Sequence, residues 1–321
     1  MKRNIIIVAV ILAIIAFFIV NNKKDNQQIK IGILQFVQHE ALDEAREGFI
    51  ERLKEQGYVD GQNIKLDYQN ASGDTANTAT IAKEFEADNK NLILAIATPA
   101  AQSLATKIND KPILITAVTD PATAGLVKSN ENVGGNVTGT SDKAPADRQA
   151  QLLKKLFPNV KKVGVIYSSA EDNSKFLVAN IKDELAKVGI EIKEATVQNS
   201  NDIMAVTNSL VGVVDAIYLP TDNVVSSSIP TIVRIANENK IITLASEPEQ
   251  VKNGALFTIG LSYRELGKQT ADMAIQILQG KKEAKDMPIE YIKNLEFFVN
   301  ENTANQLGLN VDEIKKAAKN E

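Results

Sequence analysis

The chain has no cysteine, no tryptophan and a single histidine among its 321 residues. Without cysteine there is no disulfide, no thiolate nucleophile, no zinc–thiolate site and no cysteine for a lipid anchor. This says little about compartment, because an exported protein can also do without disulfides. The lone His39 leaves the chain poor in general bases and metal ligands, and a metal role would need a second histidine. Positive charge is not in excess. Lysine and arginine number 36 against 40 acids, the net charge is −4 and the sequence pI is about 5.4. A nucleic-acid face needs a basic patch, so nucleic acid is not an expected partner. Catalytic signatures are also missing. There is no phosphate-cradling G-x-x-x-x-G-K-[ST], no G-x-G-x-x-G after a strand, no G-x-S-x-G elbow and no H-E-x-x-H. The Gly134-Gly135 pair reads as turn geometry and not as a phosphate loop.

What is present begins with the N-terminus. Lys2 and Arg3 precede an uncharged apolar run from Ile5 to Val20, and a polar spacer follows. The run is shorter than the roughly 20 residues of a typical membrane span and longer than a usual signal-peptide core. Phe17, Phe18, Ile19 and Val20 are too bulky for a small-x-small cleavage site. The expectation is an uncleaved signal-anchor, with the basic end in the cytoplasm and the bulk of the chain outside. Secretion after cleavage is the other option.

From Ile29 onward short β-branched runs alternate with amphipathic stretches. Ile29–Phe36 reads as a strand; Leu42, Ala45, Phe49 and Leu53 then recur at helical spacing, and Gly57 is a stop. The series continues through Asn63–Asn70, a helix capped by Asp74, Leu92–Ala97, a helix over 102–107 and Ile113–Ala117. Such βαβα order implies a parallel sheet covered by helices on both faces. The polar stretch Ser129–Gln149 interrupts it, with Gly135–Thr140 as a short strand passing between domains. The series then restarts: strands at Val163–Tyr167, Ile190–Thr196, Ala216–Leu219 and Ile241–Leu244, with helices between. Gly254–Ser262 resembles a second crossing strand. An amphipathic helix through Tyr263, Leu266, Thr270, Met273, Ile277 and Leu278 follows and ends at Gly280. The expected organisation is an anchor and linker over 1–28, one lobe from 29–140 plus about 260–290, and a second from 141–259 plus about 291–321. Both are Rossmann-like α/β lobes.

Five of the apolar strands end in small hydroxyls and acids where a helix begins: Thr98, Thr119 with Asp120, Ser168 with Asn173 and Ser174, Asp222 with Asn223, and Glu247. In open parallel sheets ligands bind outside the carboxyl ends of the strands. Helix N-termini there offer free N–H groups and partial positive charge. Each such residue can also be a plain helix cap. Five ends spread over two lobes read as two facing walls of one ligand cleft, with His39, in the turn after the first strand, at its edge.

The stretches "IGILQFVQHEALDEAREGFIERLKEQGY", "ATPAAQ", "AVTDPATAGLV", "GGNVTGTSD", "KKVGVIYSSAEDNS", "DAIYLPTDN", "ASEPEQVKNGAL" and "IGLSYRELGKQTADMAIQILQGK" closely resemble the tryptophan/tyrosine-type substrate-binding proteins of ABC transporters. The resemblance runs from about Ile29 to Leu309. It implies the type I periplasmic-binding fold: two lobes with parallel sheets joined by a hinge of three crossings, closing on the ligand. It further implies an extracytoplasmic, monomeric, non-enzymatic protein. Such a protein uses no cofactor and delivers an amino acid to a membrane permease with a cytoplasmic ATPase. The chain departs from the family at the N-terminus, where many members carry a lipobox cysteine.

For such a ligand the carboxylate needs donors and the ammonium needs an acid. The expected donors are Thr98 and the N–H of Ala100, with Ser168, Asn173 and Ser174 opposite. The expected acid is Asp222, then Asp120, then Glu247. Gln35 and Phe36, near the end of the first strand, are candidates for the side-chain pocket, Phe36 belonging to the core instead if it points down the strand; Thr119 and Asn223 are further expected among the ligand-binding residues. Three other classes fit the scaffold less well. An enzyme would need an acid–base pair in the cleft. A regulator of the lactose-repressor type would need a helix-turn-helix where the apolar run stands. A membrane-tethered sensor would continue past the charged tail "VDEIKKAAKNE".

Overall fold

The computed structural model describes residues 28–319. The apolar run Ile5–Val20 lies outside the described residues. Among those described, no helix is long and apolar enough to cross a membrane.

Twelve strands form two six-stranded sheets. The first has the order β11-β5-β4-β3-β1-β2 and contains β1 (Ile29–Gln35), β2 (Ile64–Asn70), β3 (Leu92–Ile96), β4 (Ile113–Val118), β5 (Val137–Ser141) and β11 (Glu290–Tyr291). All its pairings are parallel. The second has the order β12-β10-β9-β8-β6-β7. It contains β6 (Lys162–Ser168), β7 (Glu191–Val197), β8 (Ala216–Leu219), β9 (Ile242–Ala245), β10 (Phe257–Gly260) and β12 (Glu296–Val299). Only β12 runs antiparallel, against β10.

The burial of each strand follows from its place. β3 and β4, central in their sheet, are buried along their whole length, as expected where helices cover both faces. β7, at an edge, exposes most of its charged sequence EIKEATV. In the second lobe the core divides by strand face. Val163, Val165, Ala216 and Tyr218 belong to one cluster, and Ile166, Ile217 and Leu219 to the other. That alternation is the period of two along a strand. The first lobe has one continuous core.

The helices begin where the sequence supplies caps. Asp74 accepts the Ala76 N–H at 2.7 Å to start Thr75–Ala87. Ser262 accepts the Glu265 N–H at 3.3 Å to start Tyr263–Leu278. Gly57 takes a positive φ just past Glu40–Glu55.

The chain passes between the sheets three times, after β5, after β10 and after β11. Within Gly254–Ser262, read from the sequence as a crossing strand, Phe257–Gly260 is a member of the second sheet. The crossing is the step that follows it, through Leu261 and Ser262. Helix Tyr263–Leu278 returns to the first lobe and packs along helix Glu40–Glu55, where Gly48 and Gly267 let the backbones meet. Helices Glu301–Leu307 and Val311–Ala318 return to the second lobe and add Ala304, Ile314 and Ala318 to its core.

Candidate binding cleft

The carboxyl ends of the two sheets face each other, and the loops that leave them wall three spaces between the lobes. The largest is a cavity of about 380 Å³. Phe36, Val37, Ser72 and Pro99 line it from the first lobe, and Ser168, Glu171, Asn199 and Asn223 from the second. A second, narrow space of about 10 Å³ lies between His39, Ala117, Thr119, Asp142 and Tyr263 on one side and Asn173, Asp222 and Asn223 on the other. A third, also of about 10 Å³, is walled by Thr98 and Asp120 against Asp172, Asn173 and Phe176. Asn223 borders the first two spaces and Asn173 the last two, so the three are neighbours along one cleft.

Backbone strain gathers at the same strand ends. Ala97 (φ 79°) follows β3 and Ala117 (φ 54°) lies within β4, near its carboxyl end. A residue with a β-carbon held in the left-handed region costs on the order of 1–3 kcal/mol and tends to mark a functional site. Ala97 also precedes helix Thr98–Lys107, so its conformation aims that N-terminus at the cleft.

Asp222 is the hub of the second wall. Its Oδ1 accepts the Val225 N–H at 2.8 Å, capping the short helix Asn223–Ser226. Its Oδ2 accepts the Ser168 N–H and the Ser174 hydroxyl, each at 2.6 Å. Burial pushes its carboxyl above the usual range, against the pull of those donors. Beside it the buried Glu171 carboxyl is pushed up to about 8, first by burial and then by the nearby Asp222. Glu171 Oε2 accepts from the Asn223 side chain, while its Oε1 has no partner among the described residues. Glu247 is buried and also pushed up to about 8, by burial and then by Glu249. His39, half-buried at the mouth, is lowered to about 4 by desolvation. It is neutral at pH 7, with Nε2 3.4 Å from Asn223 Oδ1 across the cleft.

Other contacts tie the lobes at the flanks. Asn253 donates to Glu40 Oε2 at 2.6 Å, and Lys252 Nζ stands 3.6 Å from Glu40 Oε1. At the opposite flank Gln102 donates to Asp172 Oδ2 at 3.5 Å.

The residues expected from strand ends divide into two groups. Phe36, Thr98, Thr119, Asp120, Ser168, Asn173, Asp222 and Asn223 line one of the three spaces. Gln35, Ala100, Ser174 and Glu247 line none of them. Gln35 is turned away, donating to Val37 O and Asp43 and accepting from Arg46 at 2.9 Å. Ala100 is buried in the first turn of its helix, Ser174 stands behind Asp222, and Glu247 accepts from Ser226 at 2.8 Å one layer back from the wall. Asp120 caps its own turn through the Thr123 N–H at 2.9 Å. The sequence reading missed Asp142, Glu171 and Tyr263. The first two were within its reach: Asp142 directly follows β5 and Glu171 lies three residues past the end of β6, which is the same strand-end signal.

The arrangement is rich in buried acceptors. Among the described residues no group of three His, Cys, Asp or Glu is set to hold a metal ion.

The model of the ABC transporter substrate binding protein family matches residues 30–321, nearly the whole chain. The chain belongs to that family. The substrate-binding proteins of this family are extracytoplasmic, and the two lobes here have its type I periplasmic-binding fold. A tyrosine-binding protein of Clostridioides difficile (strain R20291) is 45% identical over 299 residues, covering 92% of this chain and 86% of the relative. Among solved structures, the ABC domain in complex with L-Trp from Streptococcus pneumonia superposes with a TM-score of 0.86 at 38% identity, over 91% of this chain and 98% of that one. The ligand-free, open structure of a substrate binding protein with adhesive properties from Clostridium difficile gives 0.69 at 44% identity, over 88% and 95%.

Proposed function

We propose that this substrate-binding protein is the solute-receiving component of an ABC importer, and that it holds an aromatic amino acid of tyrosine or tryptophan type between its lobes. The observation that carries the reading is that all three spaces are walled by both lobes. A ligand there gains its full set of contacts only when the lobes come together, so binding favours the closed form. The cavity of about 380 Å³ falls in the range of small-molecule sites, about 300–1,000 Å³. Phe36, Val37, Pro99 and Val224 give it apolar walls for a ring. The tyrosine-binding relative and the L-Trp complex favour the same ligand class.

In this reading Thr98 and the first turn of its helix, with Ser168 and Asn173 opposite, receive the carboxylate. Thr119, Asp120 and Asn223 complete the polar lining. Gln35, Ala100, Ser174 and Glu247 act from behind the wall by fixing the residues in front of them. Asp222 sets the second wall by holding Ser168 and Ser174 in place. The loaded form docks as a monomer on a membrane permease whose ATPase lies in the cytoplasm. The run Ile5–Val20 tethers the protein to the outer face of the cell membrane. No bond is made or broken in the ligand, so no cofactor or catalytic group is required.

A thermal-shift screen of the purified chain against the common amino acids tests the reading, because a ligand that binds only the native state raises the melting temperature. L-tyrosine or L-tryptophan should give the largest rise, and X-ray scattering should then give a smaller radius of gyration. If no amino acid moves the midpoint, the reading fails.

A further inference from the structure

Two buried acceptors in the narrow space, Asp142 Oδ1 and Asn173 Oδ1, have no donor in hydrogen-bond geometry among the described residues; burial raises the Asp142 carboxyl, and the hydroxyls of Tyr263 and Thr119 pull it back down. Asp142 is 3% exposed and Asn173 8%. An acceptor taken from water without a donor costs free energy, so a pair of them in the lining of one space calls for a group that only donates. The space itself, about 10 Å³, has room for one water-sized group. Its only formal charges are the carboxylates of Asp142 and Asp222, and no lysine or arginine lines it. A ligand carboxylate would be repelled there. An ammonium brings three N–H donors, no acceptor and the opposite charge.

We propose that Asp142, with Asn173 opposite, is the partner of the ligand's α-ammonium. The assignment rests on the amino-acid reading above and goes beyond it. It displaces Asp222, whose two oxygens already accept three donors from their own lobe. Asp142 is held from behind. Its Oδ2 accepts the Tyr263 hydroxyl at 2.7 Å, which leaves Oδ1, on a residue that lines the space, without a partner. The position has a mechanical consequence. Asp142 begins the crossing after β5, and Tyr263 ends the crossing after β10. The ammonium is therefore read at two of the three hinge segments, and Asn173 supplies the contact from the far lobe. The ring then extends past Asn223, which borders both spaces, into the cavity of about 380 Å³.

The test is a thermodynamic cycle on the full-length chain. L-tyrosine and L-tryptophan are titrated calorimetrically beside their deaminated propionate analogues, which keep ring and carboxylate. On the wild type, loss of the amine should weaken binding about 30-fold or more, as for a desolvated charge pair broken on one side. Asp142→Asn should weaken the amino acids by a similar factor. On that variant, removing the amine should cost only a few-fold more. A merely structural role, or a water in this space, predicts instead that the two losses multiply, and that outcome overturns the assignment. Should Asp142→Asn fail to fold by thermal melting, Asn173→Ala carries the same cycle from the opposite wall. If the wild type binds neither amino acid, the amino-acid reading itself falls. Binding by the wild type with multiplying losses removes Asp142 alone.

Discussion

The carbonyl oxygen of Arg264 lies 2.1 Å from the point where a β-carbon on Gly48 would stand. One helix turn away, Gly267 faces the Ala45 carbonyl in the same manner at 1.9 Å. The two glycines seat the returning helix Tyr263–Leu278 against Glu40–Glu55, and the Arg264 side chain locks the pair from outside. It donates to Glu44, Glu47 and Glu51, each at 2.7 Å. The start of that helix carries Tyr263, so the same packing positions one edge of the cleft.

Gly48→Ala should therefore destabilise the protein. The gain in helix propensity, about 1 kcal/mol, is opposed by a backbone contact that cannot be relieved by a rotamer change. Overpacking of this kind costs about 1–3 kcal/mol or more. Thermal unfolding should give a clearly lower midpoint. A midpoint equal to or above the wild type would mean that the helices separate without penalty.

Asp222→Asn tests the second wall. Asparagine caps a helix about as well as aspartate, so Asn223–Ser226 should survive. One of the two side-chain positions becomes an NH2 group, which cannot accept, whereas Asp222 receives donors on both oxygens. A buried donor left unsatisfied costs about 1–3 kcal/mol. Denaturant unfolding should register that loss with an unchanged slope. Stability equal to the wild type would reduce Asp222 to a cap.

The buried acids set a pH dependence of stability. Glu171 and Glu247 are raised to about 8 and Glu249 to about 7. An acid raised on folding keeps its proton in the native state after the unfolded chain has released it. Its contribution is complete below the unfolded value and is lost as pH rises through the folded one. His39 works oppositely. Lowered to about 4, it adds stability as pH rises from there to its unfolded value of about 6.5. Asp88, lowered to about 2, acts only in acid. Between about pH 6.5 and 8 the buried acids remain, and the melting temperature should fall across that window. Glu247→Gln should flatten the fall. A wild-type midpoint that climbs from pH 6.5 to 8 would contradict the burial of these carboxyls.

Much was legible in the sequence because periodicity is local. The run LILAI of β3 and the spacing Leu42, Ala45, Phe49, Leu53 reveal strand and helix without any knowledge of the partner. The alternation of the two implies parallel sheets, and the small polar residues at strand ends mark which end of each sheet faces a ligand. Eight of the twelve expected site residues line the cleft for that reason. Tertiary structure decided which of the acids at strand ends have free oxygens. Asp222 and Asp142 both follow strands in sequence. Only folding brings Ser168 and Ser174 to the first, and leaves one oxygen of the second, in the lining of the cleft, without a donor. Hydrogen-bond saturation depends on groups dozens of residues away, and no local pattern encodes it. The same holds for the hinge. β11 spans two residues, too few to show a period, and its membership in the first sheet comes from pairing with β5 across almost half the chain.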